Sequence, residues 1–416
     1  MSKVWIARLQ IQTKEKCFMN AVGIDVSKGK SMVAVMQPPG IVAAGPFKVK
    51  HNGQELNELV ELVQLLPGET KVVMEYTGAY YEPIANALHN AGIFVCVVNP
   101  LLIDGYDTNR VRKVKTDKKD AFKIANYALS KWLELREYIP VEDTRKTLKV
   151  LNRQYAQYSK ILVMQKNSLI ALLDSCFPNA NTLFSSPKRE SDGHEKWIDF
   201  ILEFPHLNSV SKPCPSVFKT KYKSWCKANR YNYSESKAAQ IHAYSRTQVS
   251  TLPMTDSVIK IVAETARLLN STLETLAALR SEMDKLASTL PEYETVMNLY
   301  GVGRISCSQL IAEIGDIRHF EHSKSLVAMA GIDPPPNQSG QLDVKSRSIS
   351  KRGSPLLRKT LFMIMQVLLQ KQPANEPVYQ FLDRKRSEGK PYKVYMIAAA
   401  NKFLRIYYAR VKESLD

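Results

Sequence analysis

No run in this sequence approaches the roughly 20 apolar residues that a membrane-spanning helix needs, so no membrane partner is expected. Residues 1–20 hold no apolar signal core, which points to a cytosolic chain. Cysteine is sparse: six residues (Cys17, Cys96, Cys176, Cys214, Cys226, Cys307) are scattered through 416 and form no Cys-x-x-Cys pair. That usage reads as reduced and excludes a disulfide scaffold. Cys214 and Cys226 lie near His194 and His206, but the spacing matches no common zinc pattern. Acid is short against base, 40 Asp+Glu against 58 Lys+Arg, a net charge of +18. Such an excess marks a phosphate-rich partner. The basic residues are spread over several segments rather than gathered in one tail or amphipathic helix, unlike a membrane-surface protein.

The few acids are therefore worth locating. Ala21-Val22-Gly23-Ile24-Asp25-Val26-Ser27-Lys28-Gly29-Lys30 is an apolar run interrupted by one carboxylate and ending in a basic turn. Asp is a poor strand former, so Asp25 is either a turn cap or a ligand. Glu75 ends Val72-Val73-Met74-Glu75, and Asp117 and Asp120 stand in Thr116-Asp117-Lys118-Lys119-Asp120. Taken singly, each has an ordinary reading: a turn acid, a strand-end acid, a helix cap, a solvated helix residue.

Their setting joins them. Strands are expected at 18–26, 31–36, 41–49, 71–76 and 93–98, with helices near 56–66, 79–90 and 117–132, from the switch between period two and helical spacing. This β-β-β-α-β-α-β-α order fits two folds: the ribonuclease-H/RuvC-like α/β fold of nucleases and transposases, and the actin-like fold of sugar kinases. A two-metal nuclease needs carboxylates converging at one sheet edge. Asp25 and Glu75 on neighbouring strands do that, and Asp117 and Asp120, three apart, share a helix face. Hard oxygen ligands suit Mg²⁺ or Mn²⁺, and a metal pair clamps the attacking and leaving oxygens of a phosphodiester. Arg110, Arg112, Lys113, Lys115, Lys118, Lys119 and Lys123 crowd the last acid pair, as a nucleic-acid backbone at that site requires.

Farther along, residues 141–177 carry a seam at Leu148, Leu151, Tyr155, Tyr158, Leu162, Leu169, Leu172 and Cys176, and residues 255–290 carry another at Leu276, Leu279, Met283, Leu286 and Leu290. Alternating three and four spacings mean coiled-coil packing, either within the chain or across a dimer. Between them, residues 178–250 interleave Lys with aromatics, as in Lys219-Thr220-Lys221-Tyr222-Lys223-Ser224-Trp225. That segment is either a base-stacking surface or a satellite domain with its own aromatic core. Leu299-Tyr300-Gly301-Val302-Gly303-Arg304 resembles the hairpin of helix-hairpin-helix modules, with Gly301 and Gly303 shaping a turn that offers amides to a phosphate. From residue 300 onward there are 19 Lys+Arg against 10 Asp+Glu. The expected domains are 18–135, 141–290 with the inserted 178–250, and a helical 291–416.

Ile24-Asp25-Val26-Ser27-Lys28, the Glu75-Tyr76-Thr77-Gly78 turn, Val98-Asn99-Pro100 and Lys115-Thr116-Asp117-Lys118-Lys119-Asp120-Ala121 resemble the DEDD transposases of the one-hundred-and-ten insertion-sequence family. Gly331-Ile332-Asp333-Pro334, Ser339-Gly340 and Ser350-Lys351-Arg352-Gly353 with Leu357-Arg358 match its C-terminal domain. The resemblance implies a prokaryotic, nucleoid-associated recombinase working as a homodimer or homotetramer on double-stranded donor and target DNA. It implies a RuvC-like domain, Ser339 as a nucleophile forming a phosphoserine link, and a structured bridge RNA as guide. Ser339 needs activation, which metal on the four carboxylates supplies if the domains act together, and Lys351 and Arg352 steady phosphate charge. By residue chemistry alone Ser339 is one loop serine among many. The alternatives are a RuvC-like endonuclease that uses water, an actin-like phosphotransferase, and a non-catalytic RNA-binding protein.

Overall fold

The computed structural model describes residues 19–106, 117–334, 338–339, 342–343 and 348–416. The chain divides into two units, Met1–Pro140 and Val141–Asp416.

The first unit is built on a five-stranded sheet of β1 (Met19–Ser27), β2 (Lys30–Gln37), β3 (Ile41–Lys50), β4 (Glu69–Glu75) and β5 (Phe94–Val98) in the order β3-β2-β1-β4-β5. The hairpin strands β1, β2 and β3 are antiparallel, whereas β4 and β5 run parallel to β1. Parallel neighbours need crossovers. These are α1 (Gly53–Gln64) between β3 and β4, and α2 (Glu82–Asn90) between β4 and β5. Helices α3 (Pro100–Tyr106) and α4 (Asp117–Ser130) follow β5. This order and direction of strands is the RNase H/RuvC-like fold.

The strands alternate cleanly. Val22, Ile24, Val26, Val72 and Met74 pack with Ile84 and Leu88 on one face. Ala21, Val73, Cys96 and Val98 pack with Ile124, Ala125 and Ala128 of α4 on the other. Both faces are covered, which is why β4 and β5 read as nearly continuous apolar runs. The expected strands and helices stand within a few residues of their places. The short α3 was not expected, because Pro100-Leu101-Leu102-Ile103 is too brief to show a period.

The second unit is helical. Its longest elements are α5 (Asp143–Cys176), then, after the inserted α6 (Lys196–Glu203), α7 (Leu207–Ser211), α8 (Pro215–Ala228) and α9 (Glu235–Thr247), α10 (Asp256–Ala287). Leu148 near the start of α5 shares a core with Met283 and Ala287 near the end of α10. Leu169 and Leu173 share another with Val262 and Ala266. The two seams therefore pack antiparallel on each other within one chain. The buried Arg145 guanidinium ties α5 to Glu292: Nη1 bonds Oε1, and Nη2 donates to Oε2 at 2.9 Å. In the insert, Phe200, Phe218 and Tyr222 are fully buried and Trp225 nearly so. Those rings pack on one another at centroid distances of 5.6–6.2 Å, Phe200 edge-to-face against Tyr222 and Trp225, and Tyr222 stacked with Phe218 and Trp225. The aromatics of 178–250 are thus the core of a satellite and not a base-stacking surface. Their spacing along α8, every three or four residues, puts them on its inner face while the lysines between them point out.

The remaining elements are α11 (Tyr293–Met297), α12 (Arg304–Ile314), α13 (Ser323–Ala330), the two-residue strands β6 (Gln338–Ser339) and β7 (Leu342–Asp343), α14 (Pro355–Lys371), α15 (Pro377–Ser387) and α16 (Tyr392–Leu415). No helix among the described residues is long and apolar enough to cross a membrane.

Candidate active site

The sheet's alternation decides where Asp25 and Glu75 lie. Ala21, Gly23 and Asp25 form the series on the α4 face of β1, and Val73 and Glu75 form it on β4. The parallel register pairs Ile24 with Met74, so Asp25 and Glu75 occupy the next rung. Adjacent strands are about 4.8 Å apart, and both residues are half-buried.

Helix α4 then brings the other two acids to the same edge. A Cβ on Gly23 would lie 2.2 Å from the Ala121 carbonyl oxygen and 2.4 Å from the Ala125 nitrogen, so helix and strand backbones touch there. Just past the helix, the Trp132 carbonyl accepts from Lys71 Nζ at 3.0 Å, and the indole donates to Glu69 at 3.4 Å. Its C-terminal end therefore lies over the start of β4, and its first turn over the finish of β1 and β4. Asp117 is four residues before Ala121, about 6 Å along the helix axis. Asp25 is two residues beyond Gly23, about 6.6 Å along the strand in the same direction. The two steps bring Asp117 and Asp25 level, with Asp120 one residue before the contact. Asp117 is exposed and Asp120 half-buried.

Gly23 is the residue that periodicity overlooks, although glycine inside an apolar strand signals a close backbone approach. Among the described residues, no three metal-ligating side chains stand already gathered around one point. Four carboxylates resist gathering: at 4 Å and an effective dielectric near 20, each like-charged pair repels by about 4 kcal/mol. A multivalent cation offsets that repulsion, and an all-oxygen donor set fits a hard one. Lys118 and Lys119 are exposed on the first turn of α4 and Lys123 is half-buried. Arg110, Arg112, Lys113 and Lys115 lie outside the described residues.

In the second unit Ser339 sits on β6, paired antiparallel with Leu342 of β7. The stems of that segment are stapled. Ser350 N donates to Asp333 O at 2.9 Å, Lys351 N to Gly331 O at 3.1 Å, and Ser354 N to Met329 O at 2.7 Å. Ser350 Oγ donates to Asp333 Oδ1 at 2.7 Å. Gly353 and Gly331 are obligatory here, because a Cβ on Gly353 would meet the Met329 carbonyl oxygen at 2.0 Å. Arg358 Nη1 donates to the carbonyls of Ala330 and Gly353 at 2.9 and 3.0 Å. The buried Glu313 carboxylate accepts from Ser354 Oγ at 2.7 Å and from Asn152 at 2.8 Å. Lys351 and Arg352 stay exposed beside this staple. Lys351 holds a left-handed φ of 55°. The Gly-Ile-Asp-Pro and Ser-Lys-Arg-Gly motifs, distant in sequence, are thus two sides of one clamp.

The Gly301–Gly303 turn joins α11 to α12. Gly301 has φ 83° and lies tight against Ile364 and Leu368 of α14. The Gly303 amide donates to Ser306 Oγ at 2.9 Å, so this amide is engaged inside the turn.

Two family models match. One, described as a DEDD transposase, matches residues 22–178. The other, the transposase IS116/IS110/IS902 family, matches residues 293–380. The chain is 24% identical over 344 residues to the pilin gene-inverting protein of Moraxella lacunata, covering 82% of this chain and 80% of that one. It is 21% identical over 400 residues to a 44.8 kDa protein of insertion element IS116 from Streptomyces clavuligerus, covering 94% of each. Among solved structures, RuvC of T. thermophilus bound to a Holliday junction substrate matches 29% of this chain and 99% of its own. The identity there is 14% and the TM-score 0.21.

Proposed function

Because the chain belongs to the IS110 family of transposases, we propose that it is the site-specific DNA recombinase of an insertion sequence, cutting and rejoining strands through a phosphoserine link at Ser339. The observation that carries the reading is the acid edge of the first unit. Sheet alternation, strand register and helix direction support one side of one sheet edge as the shared position of Asp25, Glu75, Asp117 and Asp120.

Asp25, Glu75, Asp117 and Asp120 would hold Mg²⁺ or Mn²⁺, which when bound supplies Lewis-acid polarisation of a phosphodiester. Ser339 Oγ attacks the phosphorus. The Oγ–P bond forms as one P–O bond of the backbone breaks; the hydroxyl gives up its proton and the departing oxygen takes one up. Rejoining reverses these steps on a second strand. The stapled stems hold the backbone on either side of Ser339, and Lys351 and Arg352 at the stem offer charge to the phosphate. Net charge of +18 supplies backbone affinity without base reading. Base reading in this proposal falls to a structured bridge RNA paired with donor and target DNA, on an enzyme that works as a homodimer or homotetramer.

The test is a strand-exchange assay with donor and target plasmids and the cognate RNA. Ser339→Ala is expected to abolish joining and the protein–DNA adduct on denaturing gels. Joining at the wild-type rate by that variant sinks the serine step. Hydrolytic cleavage surviving without any adduct selects the RuvC-like, water-using endonuclease instead.

A further inference from the structure

The second unit contains a cavity of about 640 Å³. Its walls are α5, α10, the turn at 188–193 that leads into the satellite, and the first residues of α12. It opens where the two cores of the unit part: Leu162 and Leu273 belong with the satellite core, Tyr155 and Met283 with the C-terminal one.

The lining mixes two chemistries. Tyr155, half-buried, with Leu162, Leu276 and Met283 supplies apolar surface. Lys188, Arg189, Arg280 and Arg304 supply cations. Lys188 is spent on Glu195 at 3.2 Å, and Arg189 on Asp192 and Asp199 at 2.9 and 3.3 Å. Arg280 and Arg304 are exposed and have no ion-pair partner among the described residues. Of the acids in the lining, Asp284 accepts from Tyr293 Oη at 2.8 Å, and Glu190 is exposed. Two guanidinium forks without ion-pair partners, in one cavity with an aromatic ring and aliphatic side chains, match a ligand that carries both an anionic group and a flat one. The volume lies in the usual range of small-ligand pockets. An inorganic anion would leave the apolar surface unused, and an apolar ligand would leave both guanidinia unpaired.

We propose that this cavity captures one nucleotide turned out of a nucleic-acid strand, its base against Tyr155 and its phosphate on Arg280 and Arg304. Aromatic stacking is tolerant of base identity, and the Arg forks bind phosphate with directional hydrogen bonds. The inference rests on the reading of the chain as a nucleic-acid enzyme but not on its cleavage chemistry. It gives the 188–193 turn a role as one wall of the pocket.

The test uses the full chain and a duplex oligonucleotide carrying one 5-iodouracil nucleotide, either unpaired as a single bulge or paired, in DNA and RNA versions. The bulged form is expected to bind about tenfold more tightly, and long-wavelength irradiation is expected to crosslink it to Tyr155. The strand type that crosslinks more strongly identifies the natural source. Tyr155→Leu and the Arg280→Gln/Arg304→Gln pair should erase the preference for the bulge. Tyr155→Phe should keep it. Duplex binding that persists with no preference for the bulge, or crosslinks confined to other peptides, overturns the pocket and leaves the recombinase reading standing. Loss of preference in Tyr155→Phe overturns the stacking role. No binding of either duplex overturns both readings.

Discussion

Gly23→Ala is the substitution on which the geometry speaks most sharply. The added Cβ would lie 2.2 Å from the Ala121 carbonyl oxygen, 2.4 Å from the Ala125 nitrogen and 2.9 Å from its Cα. All three are backbone atoms, so no rotamer change relieves the clash. Ordinary contact begins at 3.4 Å, so the start of α4 must back away from β1 by about 1.2 Å. Overpacking of this kind costs about 1–3 kcal/mol, and the gain from replacing glycine within a strand offsets under about 1 kcal/mol of it. Net of that gain, at about 3 °C per kcal/mol for a unit of this size, the first unit should melt lower by up to about 8 °C. The effect on chemistry should be larger. Asp117 and Asp120 ride on the displaced turn, and a misplacement of about 1 Å at a reacting centre costs on the order of 100-fold in rate. The assay is metal-dependent cleavage of target DNA beside a calorimetric scan. Gly53→Ala is the control, since a Cβ there meets nothing within 4 Å. A Gly23→Ala protein that melts and cleaves like wild type would falsify the argument that α4 is seated on β1 through that glycine.

Glu292→Ala removes the bidentate partner of the buried Arg145 guanidinium, leaving it only the largely exposed Glu142 at 3.5 Å, and should cost about 3–5 kcal/mol, read as a lowered denaturation midpoint of the second unit; an unchanged midpoint contradicts the stabilising role of the buried pair. Trp225→Ala removes a core ring of the satellite and should cost about 3–5 kcal/mol, with near-ultraviolet dichroism lost before DNA affinity changes. A selective loss of DNA binding with the fold intact would restore the base-stacking reading of 178–250. Glu313→Ala orphans Ser354 and Asn152 at a cost of about 1–3 kcal/mol, and hydrogen exchange at the Ser350, Lys351 and Ser354 amides should speed up. Unchanged protection there would show that the staple does not depend on Glu313.

The sheet of the first unit was legible because its strands alternate or run apolar over five or more residues, and because each acid sits at an element's end. The packing partners of those strands were not legible. That α4 lies on β1 through Gly23 follows from a missing side chain, and hydrophobic periodicity has no signal for one. In the helical unit the seams at Leu148–Cys176 and Leu276–Leu290 were visible, whereas their antiparallel intrachain pairing depends on tertiary contacts. The aromatics of 178–250 were ambiguous by composition, since the same rings fill a core or stack on bases. Burial of Phe200 and Tyr222 decides that. Ser339 carries no physical mark of its own in the sequence. The clamp around it depends on backbone bonds between Gly331–Asp333 and Ser350–Ser354, about which side-chain patterns are silent.

The proposed recombinase chemistry requires the four acids at one sheet edge to form a divalent-cation site. Titration of the full-length protein with Mn²⁺, followed by the loss of its free-ion electron paramagnetic resonance signal, measures this directly. Wild type should take up the ion, and competition by Mg²⁺ should release it. Asp25→Asn and the Asp117→Asn/Asp120→Asn pair should each weaken uptake at least tenfold while leaving the melting curve unchanged. Equal Mn²⁺ uptake by wild type and by both variants would contradict the claim.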